Sequence, residues 1–182
     1  MIEADHCALL YMQVHDSENY YLRGAIMGYD SYIEINCRRY SDRIADMIEA
    51  FKTIGWDIHN YDGAIEYLPI GDIDDFDWQV SKLSENELKT MIDYKQDQDE
   101  LVGLHLFFTC EEAGISVSAK STNEIMIGLD IYRKTCKDNT TDLAWYFNNI
   151  IVPLRANGCI IDHITVRTDI APGLTIAFFC LS

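Results

Sequence analysis

Two stretches of the chain place apolar residues at the three- and four-residue spacing of an amphipathic helix. The first begins at Ser41, which can cap its start, and ends at Gly55, which can adopt a left-handed conformation. The second begins near Thr141 and ends at Gly158. Pro153 is expected to kink the last turns of this helix, because proline has no backbone N–H to donate. The pattern therefore predicts two main helices, one in each half of the chain.

A shorter third helix is predicted from Ser84 onward. The residues Ser84-Glu-Asn-Glu87 have the spacing of a capping box, in which the serine and the glutamate satisfy each other's backbone N–H groups. Leu88, Met91 and Ile92 then recur at helical spacing.

Most of the remaining chain favours β-strands. Polar and apolar residues alternate in 115–119 and 163–167, which predicts strands with one buried and one wet face. Phe178 and Phe179 belong to an unbroken apolar run, which is typical of a central strand buried on both faces. The predicted strands are Leu9–Met12, Tyr20–Met27, Tyr32–Cys37, Trp56–His59, Ala64–Leu68, Leu101–Thr109, Ile115–Ala119, Ile125–Tyr132, Ile160–Arg167 and Leu174–Cys180.

Both halves of the chain read as strand, strand, strand, helix, strand, strand. We therefore expect an α+β protein with antiparallel sheets and two main helices, folded as a single compact domain over residues 1–182. Two explanations of the recurrence remain open. The chain could be a pseudo-duplication of βββαββ halves, at 1–71 and 101–182, joined by an acidic connector at 72–100. Alternatively, a common order of elements recurs by chance.

Charge is concentrated in the middle of the chain. The protein has a net charge of −16, and the stretch from Asp57 to Glu100 holds 13 acidic residues against three lysines, a local net charge of −10. A concentrated negative field repels nucleic acid and anionic membranes, and it attracts basic proteins. We therefore expect a protein partner, and neither direct nucleic-acid binding nor membrane binding.

The composition limits the classes of protein to which this chain can belong. Hydrophobic residues make up 48% of the chain and aromatic residues 12%, which is enough for a packed core. No apolar run reaches the ~18 residues of a membrane helix. Residues 1–6 lack the basic segment of a signal peptide, so a cytoplasmic protein is expected.

The six cysteines show no pair at metal-ligand spacing. In a cytoplasmic protein such residues are expected to be small buried side chains rather than disulfides or zinc ligands. Four of them lie in or beside apolar runs, as this interpretation requires: Cys37, Cys110, Cys159 and Cys180. The other two are Cys7 and Cys136.

The segment from Asp72 to Trp78 interleaves carboxylates with two aromatic residues. Apolar anchors surrounded by charge are typical of protein-binding hot spots. Two alternatives are a solvated turn and a cation site, although the glycine and the distal glutamate of a calcium-binding loop are missing. The predicted partner-binding residues are Glu66, Asp72, Asp74, Asp75, Phe76, Asp77 and Trp78.

No catalytic motif is present, whether a G-x-S-x-G turn, a glycine-rich phosphate loop or H-E-x-x-H. We therefore expect no enzyme activity, no catalytic or metal-binding residues and no cofactor. His105 and His163 lie in predicted strands and are interpreted as hydrogen-bonded structural residues. If the chain is a small cytosolic enzyme with an unrecognised pocket, they are the candidates. A third alternative is a nucleic-acid-mimicking inhibitor, which requires carboxylates spread over a long face.

Three segments of the C-terminal half follow one another as strand, strand and helix, at 114–118, 123–134 and 142–147. This run resembles several families of immunity proteins from bacterial polymorphic-toxin and contact-dependent growth-inhibition systems. The resemblance covers about residues 101–166. These families share no diagnostic residues, so it transfers no functional position. It implies a small acidic cytosolic protein that binds a cognate toxin domain, often a basic nuclease, and blocks it by binding rather than by turnover.

Overall fold

The computed structural model describes residues 11–16, 31–72, 76–137, 139–171 and 174–181. For 11–16, 169–171 and 174–181 it describes the backbone alone. The predicted strand at 20–27 and the predicted site residues Asp74 and Asp75 lie outside the described residues.

Ten strands of the described chain form one sheet, in which every pairing is antiparallel. They are β1 (Tyr11–Asp16), β2 (Ser31–Asn36), β3 (Trp56–Asp57), β4 (Ile65–Tyr67), β5 (Gln79–Ser81), β6 (Val102–Phe108), β7 (Gly114–Ser121), β8 (Glu124–Gly128), β9 (His163–Ala171) and β10 (Leu174–Leu181). The order across the sheet is β1-β10-β9-β2-β8-β7-β6-β4-β5, and β3 pairs with β6 outside this path. This sheet, together with its helices, confirms the predicted α+β class.

Helix α1 (Ile44–Thr53) corresponds to the first predicted helix and ends at Gly55, whose φ of +95° is the left-handed conformation predicted for it. Its N-cap is Arg43 rather than Ser41. The Ser41 hydroxyl instead accepts a hydrogen bond from the Arg43 N–H and donates one to Asp46. The prediction of the helix is confirmed, and its start lies two to three residues later than expected.

Helix α2 (Glu85–Asp97) begins with the predicted capping box. The Ser84 N–H donates to the Glu87 carboxylate at 2.8 Å, and the Ser84 hydroxyl accepts from the Glu87 N–H at 3.3 Å. Leu88 and Ile92 are buried against the core.

The second main helix consists of α3 (Leu143–Tyr146), a π-helical segment (Phe147–Ile151) and α4 (Val152–Ala156). Pro153 cannot donate to the carbonyl of Asn149, four residues earlier. That carbonyl instead accepts a hydrogen bond from the Trp56 indole N–H at 2.9 Å. The predicted distortion is therefore present as the π-helical segment, and the hydrogen bond from the Trp56 indole to the Asn149 carbonyl ties this helix to β3. Among the described residues, no helix is both long and apolar enough to cross a membrane.

The main core lies between one face of the sheet and the helices. Ile115, Val117 and Ala119 of β7 are buried and alternate with the half-buried Ser116 and Ser118, as predicted. In β9 the alternation is weaker, because the neighbouring threonine and isoleucine at 164–165 are both buried. The predicted strand at 174–180 lies inside the sheet, between β9 and β1.

The order of the strands does not confirm the predicted duplication. β2, from the first half of the chain, lies between β8 and β9 of the second half. β5 and α2 lie within the predicted connector, and β5 pairs with β4 as part of the sheet. Strands from the two halves therefore interleave.

Two of the described cysteines are buried and two are exposed. Cys37 and Cys159 are buried, as predicted. Cys110 is exposed in the turn after β6, so the prediction that it is buried is wrong. Cys136 is also exposed, whereas the side chains of Cys7 and Cys180 lie outside the description.

Candidate protein-binding surface

The predicted site residues that the structure describes lie on β4 and next to β5, at the end of the described sheet order. The register places Val80 directly opposite Glu66, and Tyr67 directly opposite Leu104 of β6. Glu66 therefore lies beside His105. Residues directly opposite each other in an antiparallel pair share one face of the sheet, and side chains alternate along each strand. Val80, Glu66 and His105 thus share the face opposite to Leu104.

The Glu66 carboxylate is engaged inside the molecule. Its Oε1 accepts a hydrogen bond from the Asn60 amide at 2.8 Å, and its Oε2 lies 2.8 Å from Nδ1 of His105. Burial acts to raise the pKa of Glu66, but the hydrogen bonds from Asn60 and His105, with the charge of the imidazole, hold it below its ordinary value of 4.5. The side chain is 24% exposed. These contacts give Glu66 a structural role, and the surface proposed below does not depend on it.

Trp78 covers the imidazole of His105. The two rings stack with their centroids 3.9 Å apart. A Cβ on Gly103, next to this pair, would lie 2.5 Å from a methyl carbon of Leu68 and 3.2 Å from the Trp78 ring. Glycine is therefore what allows the leucine and the tryptophan to pack on β6. Trp78 is half-buried in this cluster rather than a free anchor.

Phe76 is held in an unusual backbone conformation. Its φ is +50°, a region that bulky L-residues rarely adopt because of the clash between Cβ and the backbone. The Asp72 carboxylate accepts hydrogen bonds from the Phe76 N–H at 3.2 Å and the Asp77 N–H at 2.8 Å, which supports this turn. The Phe76 side chain is nevertheless 55% exposed. The predicted residue Asp72 thus organises the turn that presents the phenyl ring.

Phe76, Asp77 and Val80 face solvent at this edge, and we refer to these three residues as the edge patch. Val80 is 61% exposed on β5, the last strand in the described sheet order. Asp77 is exposed, and no lysine or arginine of the described residues forms an ion pair with it. The edge patch therefore combines two exposed apolar side chains with a carboxylate that has no cationic partner in the described chain.

Other acidic residues of the stretch are engaged between α1 and α2. The ion pairs join Arg43 to Asp93 at 2.7 Å and to Asp97 at 2.8 Å, and Lys52 to Glu85 at 2.9 Å. Elsewhere, Glu100 accepts a hydrogen bond from the Gly71 N–H at 2.9 Å. Several carboxylates of the acidic stretch are therefore paired within the molecule, and only part of the local charge excess is open to a partner. Opposite charges from the flanking sequence neutralise several of them.

Lys95 fixes the chain that leads from β4 toward the edge patch. Its ammonium group is buried in α2 and donates to the carbonyls of Leu68 at 2.9 Å and Pro69 at 2.7 Å. Burial lowers the pKa of Lys95, and the charges of Glu100 and Asp72 oppose this effect. The lysine thus satisfies two carbonyls and holds the chain just after β4 against α2.

An open apolar depression runs along α2, and sequence reasoning did not predict it. Its volume is about 470 Å³, and it is lined by Ile70, Asn86, Glu87, Thr90, Met91 and Tyr94. Ile70 and Tyr94 are exposed. Tyr94 is the sequence signal that could have indicated this depression. It lies two positions after Ile92, outside the buried apolar stripe of the helix, and adds an aromatic side chain there.

The second candidate histidine lies elsewhere in the sheet. The imidazole of His163, on β9, is 3.1 Å from the Thr165 hydroxyl. β2, β8 and β7 separate β9 from β6, which carries His105. The structure therefore does not bring these two histidines together. Within the described ranges, no three His, Cys, Asp or Glu side chains are placed to hold a metal ion.

Comparison with known proteins adds no relative. No family model matches the chain, and neither a search of curated proteins nor a search of solved structures finds a match. The resemblance to immunity proteins therefore stays a prediction.

Proposed function

We propose that this chain is a cytoplasmic immunity protein, which binds the basic domain of a cognate toxin and neutralises it without turnover. The edge patch is the centre of the contact surface. One observation carries this proposal: Phe76 and Val80 are more than half exposed at a sheet edge, beside a carboxylate with no cationic partner in the described residues. The exposed side chains supply apolar anchors, and the acid supplies selectivity for a basic partner.

Energetics favour a bound state for this edge. Fully burying a Phe or Val side chain contributes about 1.5–3 kcal/mol. A non-glycine residue at positive φ costs about 1–3 kcal/mol, which the rest of the fold must offset. In the free protein this conformation leaves much of the Phe76 ring in water. A partner that covers the ring removes that apolar surface from water and so stabilises the complex. Among the described strands none pairs with the outward edge of β5, so its backbone groups are available to an added strand.

The overall field supports a cationic partner. The net charge of −16 accelerates encounter with a basic domain, and steering of this kind brings association rates toward ~10⁸ M⁻¹s⁻¹ at low salt. Asp77 lies at the edge patch, so its charge acts both on the encounter and in the complex.

The test begins with the product of the adjacent upstream gene. It is expressed in a sensitive strain with and without this chain, and growth is measured. Association of the purified pair is then followed at several salt concentrations. We expect rescue of growth, and we expect Asp77→Lys to slow association about tenfold and to reduce its salt dependence. Phe76→Ala is expected to speed dissociation by about 10- to 100-fold.

Asp62→Lys is the matched control. Asp62 is exposed in a different turn, and its substitution changes the net charge by the same amount as Asp77→Lys. Equal effects of the two substitutions would show that the overall field matters and the edge patch does not. Absence of both rescue and binding would refute the proposal that this chain neutralises the tested toxin.

A small cytosolic enzyme is the second candidate, because the carboxylate of Glu66 is bound to Nδ1 of His105. This arrangement orients a general base in many hydrolases. A thermal-shift screen with metals and metabolites distinguishes the two functions. A compound that stabilises the wild-type protein and not His105→Asn, and that the protein converts unaided, would favour the enzyme. The internally paired carboxylates give the nucleic-acid-mimicking alternative no comparable support.

A further inference from the structure

Two buried thiols meet where the turn after β2 contacts the turn after α4. Cys37 follows β2 directly, and Cys159 follows α4 after Gly158. Their Sγ atoms are 3.9 Å apart, although 122 residues separate them in the chain. Cys37 is 0% exposed and Cys159 is 5% exposed.

Other contacts already hold these two turns together. The Asp162 N–H donates to the Asn36 carbonyl at 2.8 Å, and the Arg39 guanidinium pairs with the Asp162 carboxylate. The Cys159 N–H donates to the Leu154 carbonyl at the end of α4. The thiols are therefore placed side by side by the fold, and a bond of about 2.05 Å between them requires an approach of about 2 Å.

Of the two cysteines, Cys159 is the one that lines an opening to solvent. An open depression of about 460 Å³ lies over Cys159 and is lined by Arg39, Arg155, Gly158, Cys159, Ile160 and Ile161. Gly158 has a φ of +87°, and no atom lies within 4 Å of the place where its Cβ would be. A small oxidant can therefore reach Cys159, whereas Cys37 lies behind it.

The two thiols also differ in acidity. The hydrogen bond that the two thiols share, together with burial, raises the pKa of the Cys37 thiol. The same contact lowers the pKa of Cys159, although burial opposes this effect. Thiolate is the nucleophilic form, so acidity and access both favour Cys159 as the first sulfur to react.

We propose that Cys37 and Cys159 form a redox-responsive pair, which hydrogen peroxide closes to an intramolecular disulfide. The Cys159 thiolate attacks one oxygen of peroxide and breaks the O–O bond, and the hydroxide that leaves takes up a proton to become water. Cys159 is thereby oxidised to a sulfenic acid. The Cys37 sulfur then attacks the Cys159 sulfur, the S–O bond breaks, and a second water leaves with the Cys37 proton. In sum, two thiols and one peroxide give one disulfide and two waters, and an added dithiol reverses the reaction by exchange.

The test uses the full chain with every other cysteine replaced by serine. This variant carries Cys7→Ser, Cys110→Ser, Cys136→Ser and Cys180→Ser. After treatment with peroxide we expect a cross-linked peptide containing Cys37 and Cys159, with the loss of two hydrogen atoms. We also expect a rise in Tm on the order of 10 °C, because the bond closes a long loop, and dithiothreitol should reverse it.

A second variant makes the result decisive. In Cys37→Ser the proposed resolving thiol is absent, so Cys159 should accumulate as a sulfenic acid that dimedone traps. Recovery of free Cys37 beside over-oxidised Cys159 would overturn the proposal. If the serine variant does not fold, peptide mapping of the oxidised wild-type protein decides: the proposal requires the Cys37–Cys159 cross-link, and links through the exposed Cys110 or Cys136 alone would contradict it.

Discussion

Glu66→Gln tests whether the carboxylate between Asn60 and His105 stabilises the fold as an anion. Glutamine has nearly the same shape. It would, however, turn an NH₂ group toward one of the two groups, Asn60 or His105, that now donate to the Glu66 carboxylate. Hydrogen bonds to charged groups contribute about 1.5–3 kcal/mol each, and neutral ones about 0.5–1.5 kcal/mol. Partial exposure reduces the difference, so we expect a loss of about 1–2 kcal/mol at pH 7. For a chain of this size, that loss corresponds to a fall in Tm of about 2–8 °C.

The pH dependence identifies the charge as the cause. The pKa of Glu66 is lowered on folding, from an ordinary value of 4.5. Its contribution is therefore fully present above about pH 4.5, and it is lost as the pH falls through the lower folded-state pKa. The difference between wild type and Glu66→Gln should shrink over the same range. Urea unfolding at pH 7 and at steps between about pH 5 and 2.5 measures this difference.

The matched control is Glu124→Gln, on the exposed side of β8. It removes the same charge from a strand, where the described residues give the side chain no ion pair or hydrogen bond. Equal losses at pH 7 for the two variants would refute the role assigned to Glu66. A loss for Glu66→Gln that persists undiminished at low pH would refute the electrostatic explanation.

Four further substitutions test the packing, the second main helix and the capping box. Gly103→Ala should cost about 1–3 kcal/mol in urea unfolding, because its Cβ would lie 2.5 Å from a leucine methyl carbon; an unchanged midpoint would show that β6 yields easily. Trp56→Phe leaves the Asn149 carbonyl without its indole donor and should cost about 1–3 kcal/mol. In a Pro153→Ala background the new N–H can replace that donor, so a double-mutant cycle should show coupling of about 1 kcal/mol, and strict additivity would contradict this. Ser84→Ala should cost about 1 kcal/mol and reduce the helical circular dichroism signal before global unfolding, whereas an unchanged protein would mean that the capping box contributes little.

Local signals explain which elements could be predicted from the sequence. The capping box and the apolar spacing of α2 lie within a few residues of each other, and both are present in the structure. β5 was missed because three residues are too few to show a period, and Gln79–Ser81 becomes a strand by pairing with β4. The disturbed second helix was predictable because proline acts on its own helix, but its compensation by Trp56 was not, since 93 residues separate the two groups.

The candidate site was predicted in part for the same reason. The excess of carboxylates and the two aromatic residues of the segment are visible in the sequence. Which carboxylates are neutralised is not visible. Asp93 and Asp97 have the four-residue spacing of one helical face, but their partner Arg43 is about 50 residues away. The same limit applies to Glu66 and His105, which are 39 residues apart and adjacent only once β4 and β6 are in the sheet.

The position of β2 has a consequence for synthesis of the chain. One edge of this strand is completed by β9, and the Ser31 hydroxyl meets that of Thr168 at 2.7 Å, 137 residues later in the sequence. A ribosome adds about 5–20 residues per second, so a nascent β2 waits roughly 7–27 s for this neighbour. During that interval a strand with one apolar face and an open edge is exposed to other unfinished chains. The emerging polypeptide is therefore a natural substrate for chaperones that bind extended hydrophobic segments, and we expect its yield to fall when such chaperones are depleted.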